Sequence, residues 1–421
     1  MKIAFFCNEF VPLRRSLGVY TREMSRKFLA AEHEVTVFTT NPDGSLLSSE
    51  MWKGIEVHRP EIVDIRDMIP VFVSSDLMQS NYDLHAFADM VSYNILASGQ
   101  LINEIVGKEK REFDIISAHN SDAILAGIAA KRQLNIPLIF HVHSTERIRG
   151  MGRGSLTIEN IERRGLEVAD AIIVPSYAVQ EELLRMGLKE EERKKIFVCW
   201  DGVNAEIYSP SNGDDATILE LRERYGINDD DPMIFYIGDF GPSENIDTLI
   251  KAIPDVISEF PRSKFVLLSE DVLSIELKEL AERPELRDNI IIRTEYVSEQ
   301  EKIAHYITAD VAVFPSTWKP FGRSCTEVMA CSTPVVVGAQ GGIIGLKEQI
   351  VSSGEGHCGY HVNPYDPKDI AWGIKNILRD PDHAKILGEN ARKRVLAEFT
   401  WDKCAERTLP IYETGLKNYN K

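Results

Sequence analysis

VAVFPSTWKPFGRSCTEVMACSTPVVVGAQGG, residues 311–342, shows the clearest secondary-structure pattern in the sequence. It opens on an apolar run and contains a second one at 335–337, both rich in valine, as in strands that are buried on both faces. Between the two runs, the turn Pro-Phe-Gly at 320–322 opens a segment with the apolar spacing of a helix. This order of strand, helix and strand, closed by Gly341 and Gly342, predicts one unit of a doubly wound parallel sheet.

The same alternation of short apolar runs and longer amphipathic segments extends through the rest of the chain. Further apolar runs occur at 3–6, 35–39, 115–118, 138–143, 172–175, 196–199, 233–237, 265–268 and 290–292. Amphipathic segments such as 20–31 and 246–260 predict the crossover helices. Because the alternation occurs twice, we predict an α/β fold with two Rossmann-like doubly wound lobes that face an interlobe cleft.

Composition also predicts where the two lobes meet. Residues 209–216 read SPSNGDDA, a cluster of turn-forming residues without apolar periodicity, which is typical of a linker. We therefore expect an N-terminal, acceptor-side lobe over 1–205 and a C-terminal, donor-side lobe over 206–400. A helical segment at 401–421 follows the last strand of the second lobe, and we expect it to join the first lobe.

Charge and cysteine usage exclude several classes of function. The chain has 48 Lys and Arg against 65 Asp and Glu, a net charge of −17, whereas a general nucleic-acid partner requires a basic surface. The six cysteines form no Cys-x-x-Cys pair, which predicts reduced thiols in a cytoplasmic protein and no zinc site. No apolar stretch approaches ~20 residues, so we expect no transmembrane segment. The basic segment 14–27 leaves a peripheral contact with anionic lipid open.

A candidate ligand site follows the strands of the second lobe, because ligands of open α/β sheets bind at the carboxyl ends of the strands. Gly322 would begin a helix whose unpaired N–H groups and partial positive charge can hold a phosphate. Glu327, about one turn into that helix, could accept hydrogen bonds from a ribose. Taken alone, the segment also fits an ordinary strand–turn–helix with a surface glutamate. The second glycine-rich loop, Gly341-Gly342, favours phosphate binding.

The segment resembles the donor-site motif of the retaining GT-B glycosyltransferases of family 4, and in particular their glycogen and starch synthase-like branch. The matching positions are Pro320, Phe321, Gly322, Glu327, Met329, Ala330, Cys331, Thr333, Pro334, Val335 and Val336. The resemblance continues at 33–39, 141–147, 169–176, 387–395 and 398–401, so it covers nearly the whole chain.

The resemblance implies a role for each matching residue. Glu327 would bind the nucleotide ribose, and His143 would approach the donor sugar near the reacting carbon. Together with Lys319, which stands at the first motif glutamate, these are the predicted catalytic residues. The remaining donor-binding positions are Gly18, Gly238, Asp239, Glu244, Phe321, Gly322, Arg323, Ser324, Gly341 and Gly342. The family moves a hexose from a nucleotide-diphosphate sugar to a sugar or glycan acceptor with retention, and it uses no metal or other cofactor.

Several positions depart from the family pattern where donor chemistry is expected. Lys319 replaces a glutamate that grips the sugar hydroxyls, while Asp239 and Glu244 replace the arginine and lysine that neutralise the diphosphate. The glycine pair expected before Leu17 reads Arg15-Ser16. Two unit charges ~4 Å apart interact by ~4 kcal/mol at an effective dielectric of 20, so these replacements would cost several kcal/mol of donor binding unless other groups compensate.

Three explanations of these departures remain open. Other cations could rebuild the site, and the candidates are Arg15, Lys319, Arg147, Arg149, Arg153 and, best placed, Arg323. The donor could instead lack the usual diphosphate contacts. Alternatively, the chain could be a non-catalytic glycosyltransferase-like paralogue with a binding or regulatory role. A different two-lobed sugar-nucleotide enzyme, such as an epimerase, is a further alternative.

Overall fold

The computed structural model describes residues 1–12, 16–41, 43–66, 68–69, 77 and 84–419. The chain divides into two compact units. The first comprises residues 1–200 together with 401–421, and the second comprises residues 201–400. The division at Trp200 lies slightly before the expected limit at 205.

The described part of the first unit contains an eight-stranded sheet in the order β3-β4-β2-β1-β5-β6-β7-β8. All neighbouring strands are parallel except β3, which runs antiparallel to β4 at the edge of the sheet. The bounds are β1 Lys2–Phe6, β2 Glu34–Phe38, β3 Ser49–Trp52, β4 Ile55–His58, β5 Ile115–His119, β6 Leu138–His141, β7 Ala171–Val174 and β8 Ile196–Val198. The chain order reverses between β1 and β5, which is the topological switch point of this sheet.

Helices connect these strands and supply the other half of the first core. They are α1 Ser16–Ala30, α2 Leu84–Gly99, which continues as a π-helix over Gln100–Val106, α3 Asn120–Leu134, α4 Glu146–Arg149, α5 Leu156–Val168, α6 Tyr177–Arg185, α7 Glu190–Arg193 and, from the end of the chain, α15 Trp401–Tyr419. The core combines side chains from β1, β2, β6 and α1 with Cys404 and Tyr412 of α15. The last helix is therefore part of the first unit's core.

The described part of the second unit contains a six-stranded parallel sheet in the order β11-β10-β9-β12-β13-β14. The bounds are β9 Met233–Ile237, β10 Lys264–Leu268, β11 Ile290–Arg293, β12 Val311–Phe314, β13 Val335–Gly338 and β14 Gly359–Val362. Counted within this unit, the order is 3-2-1-4-5-6, the Rossmann order, and its switch point lies between β9 and β12.

The helices of the second unit follow its strands in the expected alternation. They are α8 Asp215–Tyr225, α9 Ile246–Ile257, α10 Ile275–Ala281, α11 Glu299–Thr308, α12 Arg323–Ala330, α13 Pro367–Leu378 and α14 Pro381–Glu398. Short 3-10 turns occupy Pro210–Asn212, Pro242–Glu244 and Leu346–Gln349. Helix α12 therefore begins directly after the Pro-Phe-Gly turn, at the carboxyl end of β12.

The segment 209–216, which composition predicts to be a linker, lies inside the second unit and is structured. The Ser209 hydroxyl caps the short turn Pro210–Asn212, and the Asp214 carboxylate accepts the Thr217 N–H at the start of α8. Serine and aspartate are preferred at helix N-caps as well as in linkers, so their presence alone does not distinguish the two.

Candidate functional site

The carboxyl ends of β9 and β12 bring together residues that are far apart in the sequence. The loop after β9 contains Asp239 and ends in the turn Pro242–Glu244, and the loop after β12 runs through Lys319 to helix α12. The Thr317 N–H donates to the Ser243 carbonyl at 2.7 Å, which joins the two loops directly. The switch point of the second unit is therefore lined by the positions that depart from the family pattern.

Lys319 and Glu244 form a buried ion pair. The Lys319 Nζ lies 2.5 Å from Glu244 Oε1, and the Ser316 hydroxyl donates to Glu244 Oε2 at 2.5 Å. Glu244 is only 4% exposed. Burial disfavours the charge on Lys319, but Glu244, with a smaller contribution from Asp239, raises the pKa of this ammonium above its ordinary value. Lys319 is therefore charged at neutral pH, and Glu244 is not an unopposed carboxylate.

Helix α12 begins next to this pair, and its N-cap residue, Gly322, has no side chain that could cap the first turn. Its N-cap, Gly322, exchanges two hydrogen bonds with the buried Gln349 side chain, because the Gly322 N–H donates to Oε1 and Nε2 donates to the Gly322 carbonyl, both at 3.0 Å. A Cβ at position 322 would lie 2.2 Å from Leu346 Cδ1, so only glycine fits. Arg323 and Ser324, both partly exposed, follow in the first turn.

Glu327 lies on the buried side of α12. It accepts a hydrogen bond from the Tyr306 hydroxyl at 2.9 Å, and its other oxygen lies 3.5 Å from Arg323 Nε. Burial raises the pKa of Glu327 above its ordinary value, and the nearby Arg323 guanidinium opposes that rise. Arg323, the cation expected to compensate at the helix terminus, therefore already has a carboxylate partner.

The glycine pair after β13 packs against the loop that carries Lys319. The Gly342 N–H donates to the Thr317 carbonyl at 2.9 Å, so this amide is not available to a phosphate in the arrangement described. A Cβ at Gly342 would lie 2.1 Å from the Trp318 ring, and Gly341 has a φ of +142°. Close approach and backbone conformation explain both glycines, whatever their contribution to donor binding.

Two further donor-binding predictions concern the backbone amides of Gly238, directly after β9, and of Gly18, in the first turn of α1. The Gly238 N–H donates to the Leu268 carbonyl at 3.1 Å, within the second unit. In the first unit, the Gly18 N–H near the start of α1 donates to a Glu9 carboxylate oxygen at 3.3 Å. Arg15 lies outside the described residues. Phe321 is buried and its ring contacts that of Phe399, with centroids 6.0 Å apart.

His143 follows β6 in the first unit and belongs to a cluster of three histidines. Its Nε2 lies 3.0 Å from His119 Nδ1, and its own backbone N–H donates to Asn120 Oδ1 at 2.8 Å. Burial lowers the pKa of His143 to about 3, so the imidazole is neutral at physiological pH. It can exchange a hydrogen bond with a sugar hydroxyl, but it does not carry a positive charge.

The remaining cations proposed to compensate are mostly engaged within the first unit. Arg149 lies 3.1 Å from Glu146 and 3.2 Å from Glu162, two buried carboxylates. Arg147 lies 3.4 Å from Glu182. Arg153 is exposed. Lys319 is likewise paired, and its charge offsets that of Glu244, one of the two acids that replace cations of the family pattern.

Three side chains that hold predicted site residues were not themselves predicted. Ser316 bonds Glu244, Tyr306 bonds Glu327 and Gln349 bonds Gly322. These three side chains are buried, or nearly so, at strand and helix ends. Polar residues with the spacing of core positions are the one signal that could have indicated them.

A separate open hollow of the second unit is lined by Pro232, Asp310 and Pro334 among others. Each of these precedes a strand, so the hollow lies at the amino ends, away from the donor chemistry.

Two sequence-family models match the chain. The model described as Glycosyltransferase Family 4 covers residues 17–207, and the model described as Glycosyl transferases group 1 covers residues 217–394. The chain belongs to the family 4 glycosyltransferases. This family 4 glycosyltransferase is 26% identical to an uncharacterized glycosyltransferase of Methanocaldococcus jannaschii, over 99% of both chains. It is 23% identical to a glycogen synthase of Mycobacterium tuberculosis, over 98% of this chain and 94% of that protein.

Solved structures confirm the fold of the glycosyltransferase. Sucrose-phosphate synthase from Thermosynechococcus elongatus superposes with a TM-score of 0.78 at 22% identity, over 99% of both chains. The HepE protein of Anabaena, solved in complex with UDP and glucose, gives 0.72 at 18% identity, over 98% of this chain and 100% of that one. The predicted GT-B fold and the predicted family are both confirmed. None of the described helices combines the length and apolar character that a membrane crossing requires.

Proposed function

We propose that this glycosyltransferase moves a hexose from a nucleotide-diphosphate sugar to a sugar or glycan acceptor, with retention of anomeric configuration and without a metal ion. The observation that carries the proposal is the reversed ion pair between Lys319 and Glu244 at the switch point of the second unit. This pair keeps a charged ammonium near the N-terminus of α12, where the family binds its diphosphate.

Charge arithmetic supports donor binding at this place. An unopposed Glu244 would repel a diphosphate by ~4 kcal/mol for each unit charge at ~4 Å and an effective dielectric of 20. With Lys319 Nζ at 2.5 Å, most of that repulsion is cancelled, and the helix N-terminus contributes a partial positive charge. The family pattern has a lysine and a glutamate at these two positions, so the chain exchanges the two charges between the partners.

The other residues take the roles that the family assigns to their positions. Glu327 accepts hydrogen bonds from the ribose hydroxyls. The first-turn amides of Arg323 and Ser324 bind phosphate oxygens, and neutral His143 contacts a hydroxyl of the hexose. The acceptor oxygen then bonds to the anomeric carbon on the face from which the phosphate departs, the bond between that carbon and the phosphate oxygen breaks, and the leaving phosphate takes the acceptor proton.

Ligand-induced stabilisation tests donor binding directly. We would measure thermal unfolding with UDP, ADP and GDP and with their hexose conjugates. A ligand at 100 times its dissociation constant adds ~2.7 kcal/mol to stability. We expect a shift with at least one nucleotide in the unmodified protein and none in Lys319→Met, compared with its own ligand-free form. The matched control is Lys251→Met, which removes a lysine from an exposed ion pair with Asp247 in the same unit. The absence of any shift in the unmodified protein would rule the proposal out.

Product stereochemistry tests the retention mechanism. With an accepted donor and a panel of sugar and glycan acceptors, proton NMR of the anomeric signal distinguishes the two outcomes. We expect an α-configured product from an α-linked donor, and an unchanged rate in the presence of EDTA. A β-configured product would contradict retention, and loss of turnover with EDTA would contradict the absence of a metal.

A second candidate is a non-catalytic role in binding or regulation. It is favoured by the two acids, Asp239 and Glu244, at positions where the family has cations. On this reading the protein binds a glycan or a nucleotide without turnover. Nucleotide-dependent stabilisation with no product from any donor and acceptor pair would support it against the transferase.

We also propose that the protein works in the cytoplasm. All six cysteines are buried and none of them forms a disulfide, which suits a reducing compartment. Fractionation of cells that produce the tagged protein tests this, and recovery from an oxidising compartment would contradict it.

A further inference from the structure

A continuous chain of hydrogen-bonded side chains runs through the first unit and ends at His143. Tyr20 Oη lies 3.3 Å from His141 Nδ1, and His141 Nε2 lies 2.8 Å from Tyr412 Oη. Tyr412 Oη lies 2.6 Å from Ser117 Oγ, and Ser117 Oγ lies 3.1 Å from His119 Nε2. His119 Nδ1 is 3.0 Å from His143 Nε2.

This hydrogen-bond chain joins three regions that are distant in the sequence. Ser117, His119 and His141 belong to β5 and β6, and Tyr20 belongs to α1. Tyr412 lies on α15, the helix that the end of the chain contributes to the first unit. Tyr412 is fully buried, and so are Ser117 and His119. Each link therefore has to be made within the protein.

All three imidazoles in this chain are neutral at physiological pH. Burial lowers the pKa of His119, His141 and His143 below the ordinary histidine value, and burial raises the pKa of the Tyr412 phenol. A neutral imidazole carries one N–H and one bare nitrogen, so it donates on one side and accepts on the other. A hydroxyl has one O–H and can accept from either neighbour, so with two neighbours it satisfies its donor only when it donates to one of them and accepts from the other.

These two rules couple the tautomers along the chain. If His119 donates from Nδ1 to His143, its Nε2 accepts from Ser117, Ser117 accepts from Tyr412, and Tyr412 accepts from His141 Nε2. If the direction is reversed, every link reverses with it. His119 and His143 therefore carry their protons on the same nitrogen, and His141 carries its proton on the opposite one. A break in the order would leave a buried donor or acceptor without a partner, at a cost of ~1–3 kcal/mol.

We propose that Tyr412 is a positioning residue that couples the tautomers of His141, His119 and His143, so that His143 Nδ1 donates or accepts a hydrogen bond according to the direction of the whole hydrogen-bond chain. Among the residues that the structure describes, no hydrogen-bond partner contacts His143 Nδ1, and His143 is the partly exposed end of the chain. Its Nδ1 is the atom left for a sugar hydroxyl. The consequence for the hexose rests on the proposed function, whereas the coupling of tautomers does not.

Hydrogen bonding explains the histidine cluster better than metal coordination does. The three imidazoles offer nitrogens that lie within 4.8 Å of one another, which could suit a metal ion. However, both nitrogens of His119 and of His141 are already paired along the hydrogen-bond chain, and His143 Nε2 is paired with His119. A shared metal ion would have to break these bonds.

Nitrogen-15 NMR of histidine-labelled, ligand-free protein measures the tautomers directly. Single substitutions H119Q, H141Q and H143Q assign the signals. Three imidazoles with two tautomers each allow eight combinations. We expect one of the two coherent ones, in which His119 and His143 agree and His141 is opposite. Any other combination in the unmodified protein would overturn the coupling, even if the protein proves to be a transferase.

Two variants interrupt the hydrogen-bond chain at different points, and a third variant is the matched control. Tyr412→Phe removes the hydroxyl between His141 and Ser117, and Ser117→Ala removes the next link. In both we expect mixed tautomer signals for His119 and His143. The control, Tyr93→Phe, removes a buried hydroxyl of the same unit that donates to the Cys7 and Phe38 carbonyls, and it should keep the original pattern. If His143 kept a single, unchanged tautomer in both Tyr412→Phe and Ser117→Ala, the positioning role of Tyr412 would be refuted.

Kinetics then connect the coupling with turnover. We expect Tyr412→Phe to lower kcat about 10-fold, as is typical when an outer hydrogen-bond partner of a functional histidine is lost, with little change in the donor KM. Tyr93→Phe should leave both parameters unchanged. Disordered tautomers together with normal turnover would show that the coupling exists without serving catalysis, and would overturn that part of the proposal.

Discussion

At the scale of single residues, the stability of the second unit depends on Lys319 because its partner is buried. In Lys319→Met, Glu244 keeps the Ser316 hydroxyl as its hydrogen-bond partner among the residues that the structure describes. We expect the free energy of unfolding in urea to fall by ~3 kcal/mol, the lower end for breaking a buried pair, since the Lys319 side chain is 29% exposed. Lys251→Met should change it by less than ~1 kcal/mol, because that ion pair is exposed.

The reversed variant E244K/K319E separates the ion pair from its polarity. Each single reversal places like charges together in a buried site, and the double variant restores an attractive pair with the polarity of the family pattern. We expect the double variant to recover most of the stability that either single variant loses. If the double variant is as unstable as the sum of the two, the residues do not stabilise each other.

Glu162 makes the stability of the first unit depend on pH. It lies 3.2 Å from Arg149 and accepts the Glu146 N–H at 2.8 Å, yet burial raises its pKa from 4.5 to about 7. Because the folded pKa exceeds the unfolded one, the folded state binds the proton more tightly, and stability falls as the pH rises from about 4.5 to 7.

Glu162→Gln should remove this dependence. We expect the variant to match the unmodified protein near pH 4 and to exceed it by ~3 kcal/mol near pH 8, as measured by urea unfolding across that range. Glu167→Gln, an exposed position on the same helix, is the control and should show no such trend. A difference that stays constant with pH would contradict the raised pKa.

The sequence reveals which charges depart from the family pattern, but not that two of them form a pair. Lys319 and Glu244 are 75 positions apart, and their contact depends on the neighbouring β9 and β12 placing their loops side by side. From the sequence, Glu244 reads as a repulsive carboxylate. Tyr412 illustrates the same limit, since nothing in a C-terminal amphipathic helix indicates that one of its hydroxyls contacts a histidine far earlier in the chain.

At the scale of elements, helix α12 offers a test in which stability and binding change in opposite directions. Ser324 lies in its first turn, where a carboxylate interacts favourably with the helix dipole. Ser324→Asp should therefore stabilise the protein by ~0.3–1 kcal/mol in urea unfolding and also repel a diphosphate at that terminus. We expect nucleotide-dependent stabilisation to disappear. Ser324→Ala, which adds no charge, should retain it, and binding that survives in Ser324→Asp would place the phosphates elsewhere.

Most strands were predictable because they are continuous apolar runs, which parallel sheets covered on both faces require. The strands that escaped prediction, β3, β4 and β14, are four residues long and include polar side chains. Strand β3 lies at the edge of its sheet, where one side faces solvent and no apolar run is needed. The apolar pattern arises from burial, so it is weak in an edge strand such as β3, whose residues are exposed or only partly buried.

Across the full protein, the two units differ in which segments of the polypeptide complete their folds. The ends of the second unit already meet, because the Val203 N–H donates to the Phe399 carbonyl at 2.8 Å and Val203 pairs with Thr400. The first unit is instead completed by residues 401–421, whose Cys404 and Tyr412 are fully buried in its core. Sequence similarity identified the family from local motifs, but this closure depends on the folded topology.

This difference predicts how fragments behave. Residues 201–400 alone should fold, with one cooperative urea transition, because they contain a complete 3-2-1-4-5-6 sheet and its core. If the donor contacts belong to this unit, the fragment should bind the nucleotide within ~10-fold of the full chain, a difference of ~1.4 kcal/mol. Residues 1–200 alone should fail to fold, whereas 1–200 joined by a flexible linker to 401–421 should succeed. Circular dichroism and calorimetric titration measure both, and a folded 1–200 fragment would show that the last helix is dispensable for the core that it completes.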